Sequence, residues 1–338
     1  MVGKMVQAGI KGTGLYVPGK AIDNAELKNL ANVEFDDERL SDRIGISSRH
    51  IARLRNIEES TADFAEKAAR SALKDAGVSP DEVDLLIVAT DTPEFISPAT
   101  AIVVQGRLQS AQRATRSFDV NASCAGFVSA FDTAVRIVGT DPELRYGVVV
   151  GVYNMPAFVR DGDAFGYSIF ADGAGAVVLE KRVSGGAYLG GRFLTDGTQW
   201  DYVGVYSGGT KKPVTKERLE GGQYGLELLK PLPGKRNIEL WPPLVEALLE
   251  KVGKRISEVD HLLFTQINRS VIHEVMGILG VPLEKTTTIM DRYGYTGSAC
   301  IPMAFYHAVK EERVHRGDLV LCIASGAGLA VGANAFIY

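Results

Sequence analysis

The strongest constraint on the fold of this 338-residue chain is an internal repeat. The segment at 80–92, PDEVDLLIVATDT, is matched by ISEVDHLLFTQIN at 256–268, and their EVD triplets lie 176 residues apart. The segment at 122–135, ASCAGFVSAFDTAV, is matched by GSACIPMAFYHAV at 297–309, and the cysteines of these two segments show the same offset of 176. Solenoid repeats recur every 20–50 residues or so, so this much longer repeat predicts a duplicated folding unit.

Within the first copy, strand and helix patterns alternate. Ser60 is a typical N-cap residue, and the alanine-rich helical pattern that follows it ends at Gly77. The apolar run from Leu85 to Ala89 then predicts a buried strand. The segment at 116–139 predicts a strand, a glycine-containing turn and a helix. Alternation of this kind favours an α/β fold.

We expect the duplication to divide the chain into an N-terminal half at 1–181 and a C-terminal half at 182–338. The first part of the second half, about 182–235, is rich in glycine, lysine and threonine. This stretch is too long for a simple connection, which predicts a loop-rich insertion with a functional role.

Charge and composition exclude several classes of protein. The net charge of −4 gives no basis for a nucleic-acid partner, and no apolar run approaches the roughly 18 residues of a membrane span. The first 14 residues lack the apolar stretch of a secretory signal, and the three cysteines lack metal-ligand spacing. We therefore expect a cytoplasmic protein in a reducing compartment, without membrane contact, metal or cofactor.

Cys124 is the leading candidate for a reactive group. It lies in NASCAGF, at the predicted turn from strand to helix, among small residues that leave space for a substrate. A helix N-terminus stabilises the thiolate, which is the reactive form of cysteine, and backbone N–H groups there suit an oxyanion beside the sulfur. The same local pattern fits a small buried thiol of the core equally well.

Five motifs, taken in order, resemble the type III β-ketoacyl-ACP synthases of the thiolase superfamily. They read GIKGTGLYVPGKAIDNAEL, RIGISSRHIA, DVNASCAGF, FADGAGAVVL and GSACIPMAF. The resemblance extends over nearly the whole chain and is weakest at 182–235. It implies a duplicated αβαβα layered fold, a homodimer, and acyl transfer from a thioester of coenzyme A or acyl-carrier protein to Cys124. It also implies an oxyanion hole made by the backbone amides of Cys124 and Ala327.

The chain departs from this family at two positions that bear on decarboxylation. The family's HQAN stretch reads TQIN at 265–268, and its GNT stretch reads GYT at 294–296. Thr265 and Tyr295 therefore stand where the family has the histidine and asparagine that assist decarboxylation of a malonyl thioester. Their hydroxyls can still donate hydrogen bonds, so we expect both residues to act as substitute donors. Neither titrates near neutral pH, so neither suits the role of general base.

The resemblance also indicates residues that would bind the carrier of the acyl group. Arg43 is retained at a position that grips the nucleotide of coenzyme A, and Arg39 stands where the family has tryptophan. Arginine stacks on aromatic faces and pairs with phosphate, so Arg39 is also a candidate for substrate binding. Gln266, Asn268 and Arg269, in and beside the TQIN stretch, are further candidates for substrate binding.

Ser97 occupies the register of a phenylalanine that the family contributes from the partner subunit to the floor of the acyl pocket. This smaller residue predicts room for a longer or bulkier acyl group. A shift of the loop register by one residue, or refilling of the space by Phe95 or Ile96, is the alternative.

The sequence leaves three functions open. The first is a condensing enzyme of fatty-acid or related biosynthesis, which joins the acyl group on Cys124 to a malonyl-type thioester. The second is an acyltransferase or thioesterase that forms no carbon–carbon bond, because the usual histidine and asparagine are replaced. The third is a non-catalytic subunit of a ketosynthase heterodimer.

Overall fold

The computed structural model of the chain describes residues 8–109, 111–182 and 185–338. Within these residues the strands form two large sheets and two short two-stranded sheets. The strands are β1 (Ala8–Tyr16), β2 (Ile22–Asp23), β3 (Ser48–Arg49), β4 (Leu85–Ala89), β5 (Arg116–Val120), β6 (Tyr146–Tyr153), β7 (Gly173–Lys181), β8 (Ala187–Gln199), β9 (Val203–Val205), β10 (Leu226–Leu228), β11 (His261–Phe264), β12 (Leu319–Gly326) and β13 (Gly328–Ile337).

The two large sheets share one topology. The first has the order β1-β7-β6-β4-β5, and the second has the order β8-β13-β12-β11. In the first sheet β6 pairs antiparallel with β7 and parallel with β4. In the second sheet β12 likewise pairs antiparallel with β13 and parallel with β11. In the first sheet β4 also pairs in parallel with β5. The equivalent pairing in the second sheet is a single parallel bridge between Leu262 of β11 and Thr286. The pairing repeats along the chain as the sequence offset of 176 residues predicted.

Ten α-helices cover and separate the sheets in the described part of the chain. Their bounds are α1 (Asn24–Ala31), α2 (Thr61–Ala76), α3 (Thr100–Gln109), α4 (Gly126–Thr140), α5 (Ala164–Ile169), α6 (Lys216–Glu220), α7 (Arg236–Val252), α8 (Arg269–Ile278), α9 (Met290–Tyr293) and α10 (Cys300–Lys310). Short 3₁₀-helical turns lie at Arg53–Arg55, Pro80–Glu82, Met155–Phe158, Ile256–Glu258, Leu283–Lys285 and Gly297–Ala299, and a π-helical turn spans Arg39–Ile44. Among the described residues, no helix combines the length and the apolar character needed to cross a bilayer.

The helices and sheets form five layers. Helices α4 and α10 lie between the sheets, because α4 packs on both β6 and β13 and α10 packs on both β7 and β11. Helices α2 and α3 cover the first sheet, and α7 and α8 lie on the second sheet's side. The protein therefore has the predicted αβαβα arrangement.

Local sequence accounts for the fit of α2 on the first sheet. Ser60 and Asp63 form a reciprocal capping box at its start, and Gly77 ends it in the left-handed conformation with φ of 64°. A Cβ added to Gly14 of β1 would lie 2.3 Å from the backbone nitrogen of Ala72. Glycine on the strand and alanine on the helix therefore allow an approach that larger side chains would prevent.

The region at 182–235 differs from the sequence-based expectation. Residues 187–199 are not loop but a 13-residue strand, β8, which pairs antiparallel with β13. Strand β8 forms the edge of its sheet, and much of its surface is exposed. It is therefore rich in glycine and polar residues and lacks the apolar run by which a buried strand is recognised in a sequence. The loop-rich part is limited to 200–235, where only β9, β10 and the short α6 are regular.

Candidate active site

Cys124 lies in a tight turn between β5 and α4. The amide of Ala125 donates to the Ala122 carbonyl at 3.1 Å, and the amide of Gly126 donates to the Ser123 carbonyl at 2.8 Å. Ser123 adopts a positive φ of 48°, which is uncommon for a residue with a side chain. Cys124 is only 8% exposed, yet it lines a cavity of about 300 Å³ and is therefore within reach of a substrate.

The wall of the cavity is mostly apolar, with a polar group around the sulfur of Cys124. Asp91, Ser123, Cys124 and Tyr295 form the polar group that surrounds the sulfur. The apolar wall includes Met155, Phe165, Ile169, Phe170, Leu226 and Leu329. A lining of this kind suits an acyl chain, with the reacting carbonyl held beside the polar group.

The thiol of Cys124 is protonated in the free protein near neutral pH. Burial, with a smaller effect from the charge of Asp91, raises the pKa of Cys124 to about 12, while hydrogen bonding from Tyr295 and Ser123 opposes the rise. The expectation that the helix start would keep this thiol ionised is therefore wrong for the free protein. The physical reason is that loss of water around the sulfur outweighs the nearby donors.

The side chain of Ser123 links a carboxyl group to the sulfur. Its Oγ donates a hydrogen bond to Asp91 Oδ2 at 2.8 Å, and the same Oγ lies 3.7 Å from Cys124 Sγ. Asp91 follows β4 and Cys124 follows β5, and these are neighbouring parallel strands. The carboxyl ends of such strands meet at one edge of the sheet, which brings the two residues together.

Tyr295 presents its hydroxyl to Cys124 from the opposite half of the molecule. Its backbone is fixed by hydrogen bonds to Ile169 and Ala171, at 2.9 and 3.0 Å, and the residue is 2% exposed. Burial raises the pKa of Tyr295 well above its usual value, so the hydroxyl keeps its proton and remains a donor. The structure thus brings Tyr295 to the predicted nucleophile.

Thr265 and Gln266 lie behind the cavity and do not line it, contrary to the sequence-based expectation. The hydroxyl oxygen of Thr265 accepts a hydrogen bond from the amide of Ser325 at 3.0 Å. The amide of Gln266 donates to two backbone carbonyls, and its oxygen accepts from the amide of Ile289 at 2.8 Å. Both side chains therefore hold backbone in place, because they are fully buried where β11 ends.

The turn between β12 and β13 packs directly against the nucleophile. Ser325, Gly326 and Ala327 all line the cavity. A Cβ at Gly326 would lie 2.9 Å from the backbone nitrogen of Cys124 and 2.5 Å from the carbonyl oxygen of Ala122. This close approach brings the Ala327 segment and the Cys124 amide to the same end of the cavity, as the oxyanion-hole expectation requires.

Asn268 lines the cavity, whereas Arg269 supports a neighbouring turn. Asn268 lines the cavity, and its Oδ1 caps α8 by accepting from the amide of Val271 at 3.3 Å. Arg269 instead donates to the carbonyls of Ser41 and Asp42, at 3.0 Å each, and so braces the turn at 39–44.

The remaining predicted binding residues lie on the surface of the chain. Arg39 and Arg43 are exposed on the π-helical turn whose last residue, Ile44, lines the cavity. Ser97 is also exposed, beside Ile96, which is 84% exposed. Ser97 does not reach the cavity of its own chain, so the structure does not bring it to Cys124.

Sequence analysis missed several polar residues of the cavity, among them Asp91, Tyr153 and Arg236. Asp91 directly follows a predicted buried strand, and this position was a signal that could have identified it. Tyr153 ends β6, and burial, with smaller effects from Asp91 and Cys124, raises the pKa of its hydroxyl well above the usual value. Arg236 begins α7 and lies over the Tyr202 ring at 5.4 Å. The sequence offers no local signal for Arg236, because the region before it has little regular structure.

The layered fold with a cysteine between its sheets defines a thiolase-type enzyme. A family model described as 3-oxoacyl-[acyl-carrier-protein] synthase III matches residues 118–197, and the model of its C-terminal part matches 249–338. The chain belongs to the β-ketoacyl-[acyl-carrier-protein] synthase III family, which confirms the resemblance found in the sequence.

Relatives and solved structures match the chain along its length. The β-ketoacyl-[acyl-carrier-protein] synthase III of Symbiobacterium thermophilum is 34% identical over 332 residues, which is 98% of each chain. The 3-oxoacyl-[acyl-carrier-protein] synthase III of Aquifex aeolicus is 30% identical, with a TM-score of 0.84 over 98% of this chain and all of that one. The priming β-ketosynthase of the R1128 polyketide pathway is 26% identical, with a TM-score of 0.85 over 100% and 98%.

Proposed function

We propose that this protein acts as a 3-oxoacyl-ACP synthase III in fatty-acid or related biosynthesis. It takes an acyl group from a thioester onto Cys124 and condenses the acyl-enzyme with a malonyl-type thioester. The observation that carries the proposal is the position of the Cys124 sulfur. It lies in the wall of a mostly apolar cavity, against the turn at 325–327.

Acylation uses the backbone and Tyr295. Sulfur attacks the thioester carbonyl, and the negative charge that forms on its oxygen is stabilised by the amides of Cys124 and Ala327. The hydroxyl of Tyr295 donates a hydrogen bond to the group at the sulfur, since burial keeps that hydroxyl neutral. In the condensation, the carbanion formed by loss of carbon dioxide attacks the acyl carbonyl, and the sulfur of Cys124 leaves.

The acyl donor is a thioester of coenzyme A or of acyl-carrier protein. Arg39 and Arg43 support this part of the proposal, because both are exposed on the turn that reaches the cavity through Ile44. Arginine pairs with phosphate, a group that coenzyme A and the phosphopantetheine arm of the carrier protein have in common. Asn268, at the cavity wall, is placed to hydrogen-bond an amide of that arm.

We also propose a cytoplasmic homodimer built from halves at 1–181 and 182–338. Phe95 and Ile96 are 53% and 84% exposed on one loop, and Ile102 of α3 is 50% exposed. Exposed apolar side chains that lie close together in a sequence are typical of an interface. A second copy that covers them would bring the Ser97 loop towards its own acyl pocket.

The test is product formation by the purified protein. Acyl-CoA and acyl-ACP donors of increasing chain length are mixed with malonyl-ACP, and carbon dioxide and β-ketoacyl-ACP are measured with intact-protein mass spectrometry of Cys124. We expect an acyl adduct on the wild type and none on Cys124→Ala. Product no greater than that of the alanine variant, with every donor, would reject the condensing activity.

A non-decarboxylating acyltransferase or thioesterase is the second candidate. One observation favours it: none of the five histidines lines the cavity, and Thr265 supports backbone instead of facing the substrate. In that case the adduct on Cys124 would be discharged by water, an alcohol, an amine or a thiol, but not by malonyl-ACP. A protein that is never acylated would instead be a non-catalytic ketosynthase subunit.

A further inference from the structure

A carboxyl group without a cation lies beside the nucleophile. Asp91 Oδ2 accepts the hydrogen bond from Ser123, while its Oδ1 is inaccessible to solvent and has no hydrogen-bond partner. None of the ion pairs between described residues includes Asp91. Its carboxyl group therefore depends on one hydroxyl for stabilisation in an environment that favours the neutral form.

A structural role does not account for this arrangement. An uncompensated carboxylate near a sulfur disfavours the thiolate, and Asp91 contributes to the high pKa of Cys124. Ser123 also keeps a positive φ of 48°, a conformation that costs free energy for any residue with a Cβ. Both costs are explained if the turn exists to hold the hydroxyl between the sulfur and the carboxylate.

We propose that Asp91 accepts the proton of the Cys124 thiol through the hydroxyl of Ser123. The inference rests on the proposed acylation of Cys124, and it assigns to Asp91 a part that the histidines of this chain do not take in the cavity. Because Asp91 acts through Ser123, it is a positioning residue for the reaction.

The proton and bond balance closes without any added reactant. The thiol proton passes to Ser123 Oγ as the Ser123 proton passes to Asp91 Oδ2, and sulfur forms a bond to the thioester carbonyl carbon. When the tetrahedral intermediate collapses, the bond from that carbon to the donor's sulfur breaks. The departing sulfur takes a proton back along the same path, which leaves Asp91 ionised and Cys124 acylated.

The surrounding groups do not compete for this proton. Burial raises the pKa of Asp91 above the usual carboxyl range, which brings it closer to that of the thiol. Tyr153, Tyr295 and Cys300 are the other titratable groups that face Cys124 and Asp91, and burial raises the pKa of each. All three stay neutral between pH 6 and 9, so the pH dependence of the sulfur's reactivity reports on Asp91.

Alkylation of Cys124 by iodoacetamide tests the relay without any acyl substrate. The rate is followed from pH 6 to 9 by mass spectrometry on the full chain, for the wild type, Asp91→Asn, Asp91→Glu and Ser123→Ala. We expect Asp91→Asn and Ser123→Ala to react about a hundredfold more slowly than the wild type at pH 7. In both, the rate should rise about tenfold per pH unit, because hydroxide must then remove the proton.

The sign of the change separates the relay from a purely electrostatic effect. If the charge of Asp91 only destabilises the thiolate, Asp91→Asn reacts faster than the wild type at pH 7, and the inference is overturned. Asp91→Glu should recover part of the rate, since a carboxylate is restored. Asp161→Asn, at a side chain that is 93% exposed, is the matched control and should leave the profile unchanged.

The same variants distinguish failure of the relay from failure of the proposed function. If the wild type is acylated and Asp91→Asn is acylated equally fast with an unchanged pH profile, the relay is rejected and the acyl transfer stands. If the wild type is never acylated but its alkylation depends on Asp91 as described, the relay stands and the proposed function is rejected. Circular dichroism of each variant shows whether a loss of rate reflects unfolding.

Discussion

The hydroxyl oxygen of Thr265 accepts a hydrogen bond from the backbone amide of Ser325 across 3.0 Å. The amide of Thr265 also donates to the Ile323 carbonyl at 3.0 Å. The backbone and the side chain of Thr265 are therefore both hydrogen-bonded to β12. Since β12 leads into the turn that packs on Cys124, Thr265 supports from behind the turn that we propose as part of the oxyanion hole. The position that the resemblance aligns with the family's histidine therefore supports backbone in this chain.

Thr265→Val removes this acceptor while preserving the shape of the side chain. The amide of Ser325 then lacks its partner, and we expect the free energy of unfolding to fall by about 1 kcal/mol. Acylation of Cys124 should slow severalfold, because the turn at 325–327 is less firmly held. Denaturant unfolding and rapid-mixing mass spectrometry measure the two effects. Thr210→Val, at an exposed threonine, is the control, and equal values for both variants would contradict the role of Thr265.

The parts of the fold that the sequence predicted depend on local signals. The strand Leu85–Ala89 and the helix between Ser60 and Gly77 were predicted with their observed bounds, because an apolar run and two caps mark them. The repeat identified the common topology of the two sheets. Strand β8 was missed, because an exposed edge strand lacks the apolar run that marks a buried strand.

The direction of a site side chain depended on contacts that sequence spacing does not contain. Thr265 and Tyr295 both replace residues of the family's site, yet only Tyr295 lines the cavity. Thr265 is hydrogen-bonded to Ser325, a residue 60 positions away along the chain, and the residues next to Thr265 in the sequence do not predict that bond. The ionisation of Cys124 was mispredicted for a related reason, since burial is set by the whole fold.

Gly326→Ala should slow acylation about a hundredfold with little change in the global fold. The added methyl would lie 2.5 Å from the Ala122 carbonyl oxygen and 2.9 Å from the Cys124 nitrogen, so one of the two turns must move. Loss of one oxyanion donor slows related reactions about a hundredfold or more, and we expect a loss of this size in the acylation rate.

The matched control for this change is Gly197→Ala, because a Cβ there meets no other atom within 4 Å. Both variants should keep the circular dichroism spectrum of the wild type. Acylation of Gly326→Ala at the wild-type rate would mean that the turn does not contribute to the oxyanion site.

Tyr295→Phe removes the hydroxyl that hydrogen-bonds to the sulfur but keeps the ring. Tyr295 opposes the rise in the pKa of Cys124, so its loss should raise that pKa and reduce alkylation by iodoacetamide at pH 7. One hydrogen bond is worth about 1 kcal/mol, which corresponds to a slowing of about fivefold to tenfold. Tyr224→Phe, at a tyrosine that is 45% exposed, should react like the wild type. A Tyr295→Phe variant as reactive as that control would exclude the hydroxyl from activation of the sulfur.

Ile96→Asp should convert the proposed homodimer into a monomer. Ile96 is 84% exposed and Phe95 53% exposed on the same loop, and a carboxylate there would have to lose its water on association. Light scattering coupled to size-exclusion chromatography gives the mass directly. Leu219→Asp, at a residue of α6 that is 50% exposed, is the control and should not change the mass. A dimer that survives Ile96→Asp would place the interface elsewhere.

His261 should make stability fall as the pH drops from about 6.5 to about 4. The residue is 1% exposed on β11, and burial, with smaller effects from Arg313 and Lys285, lowers its pKa to about 4. Between these pH values the unfolded chain binds a proton that the folded chain does not, so acid favours unfolding by up to about 3 kcal/mol.

His261→Gln cannot bind that proton, and it serves as the comparison in denaturant unfolding at several pH values. Asp172, whose pKa burial raises to about 8, changes stability in the opposite direction, but equally in both proteins. Parallel stability curves for wild type and variant between pH 6.5 and 4 would show that His261 does not titrate as its burial requires.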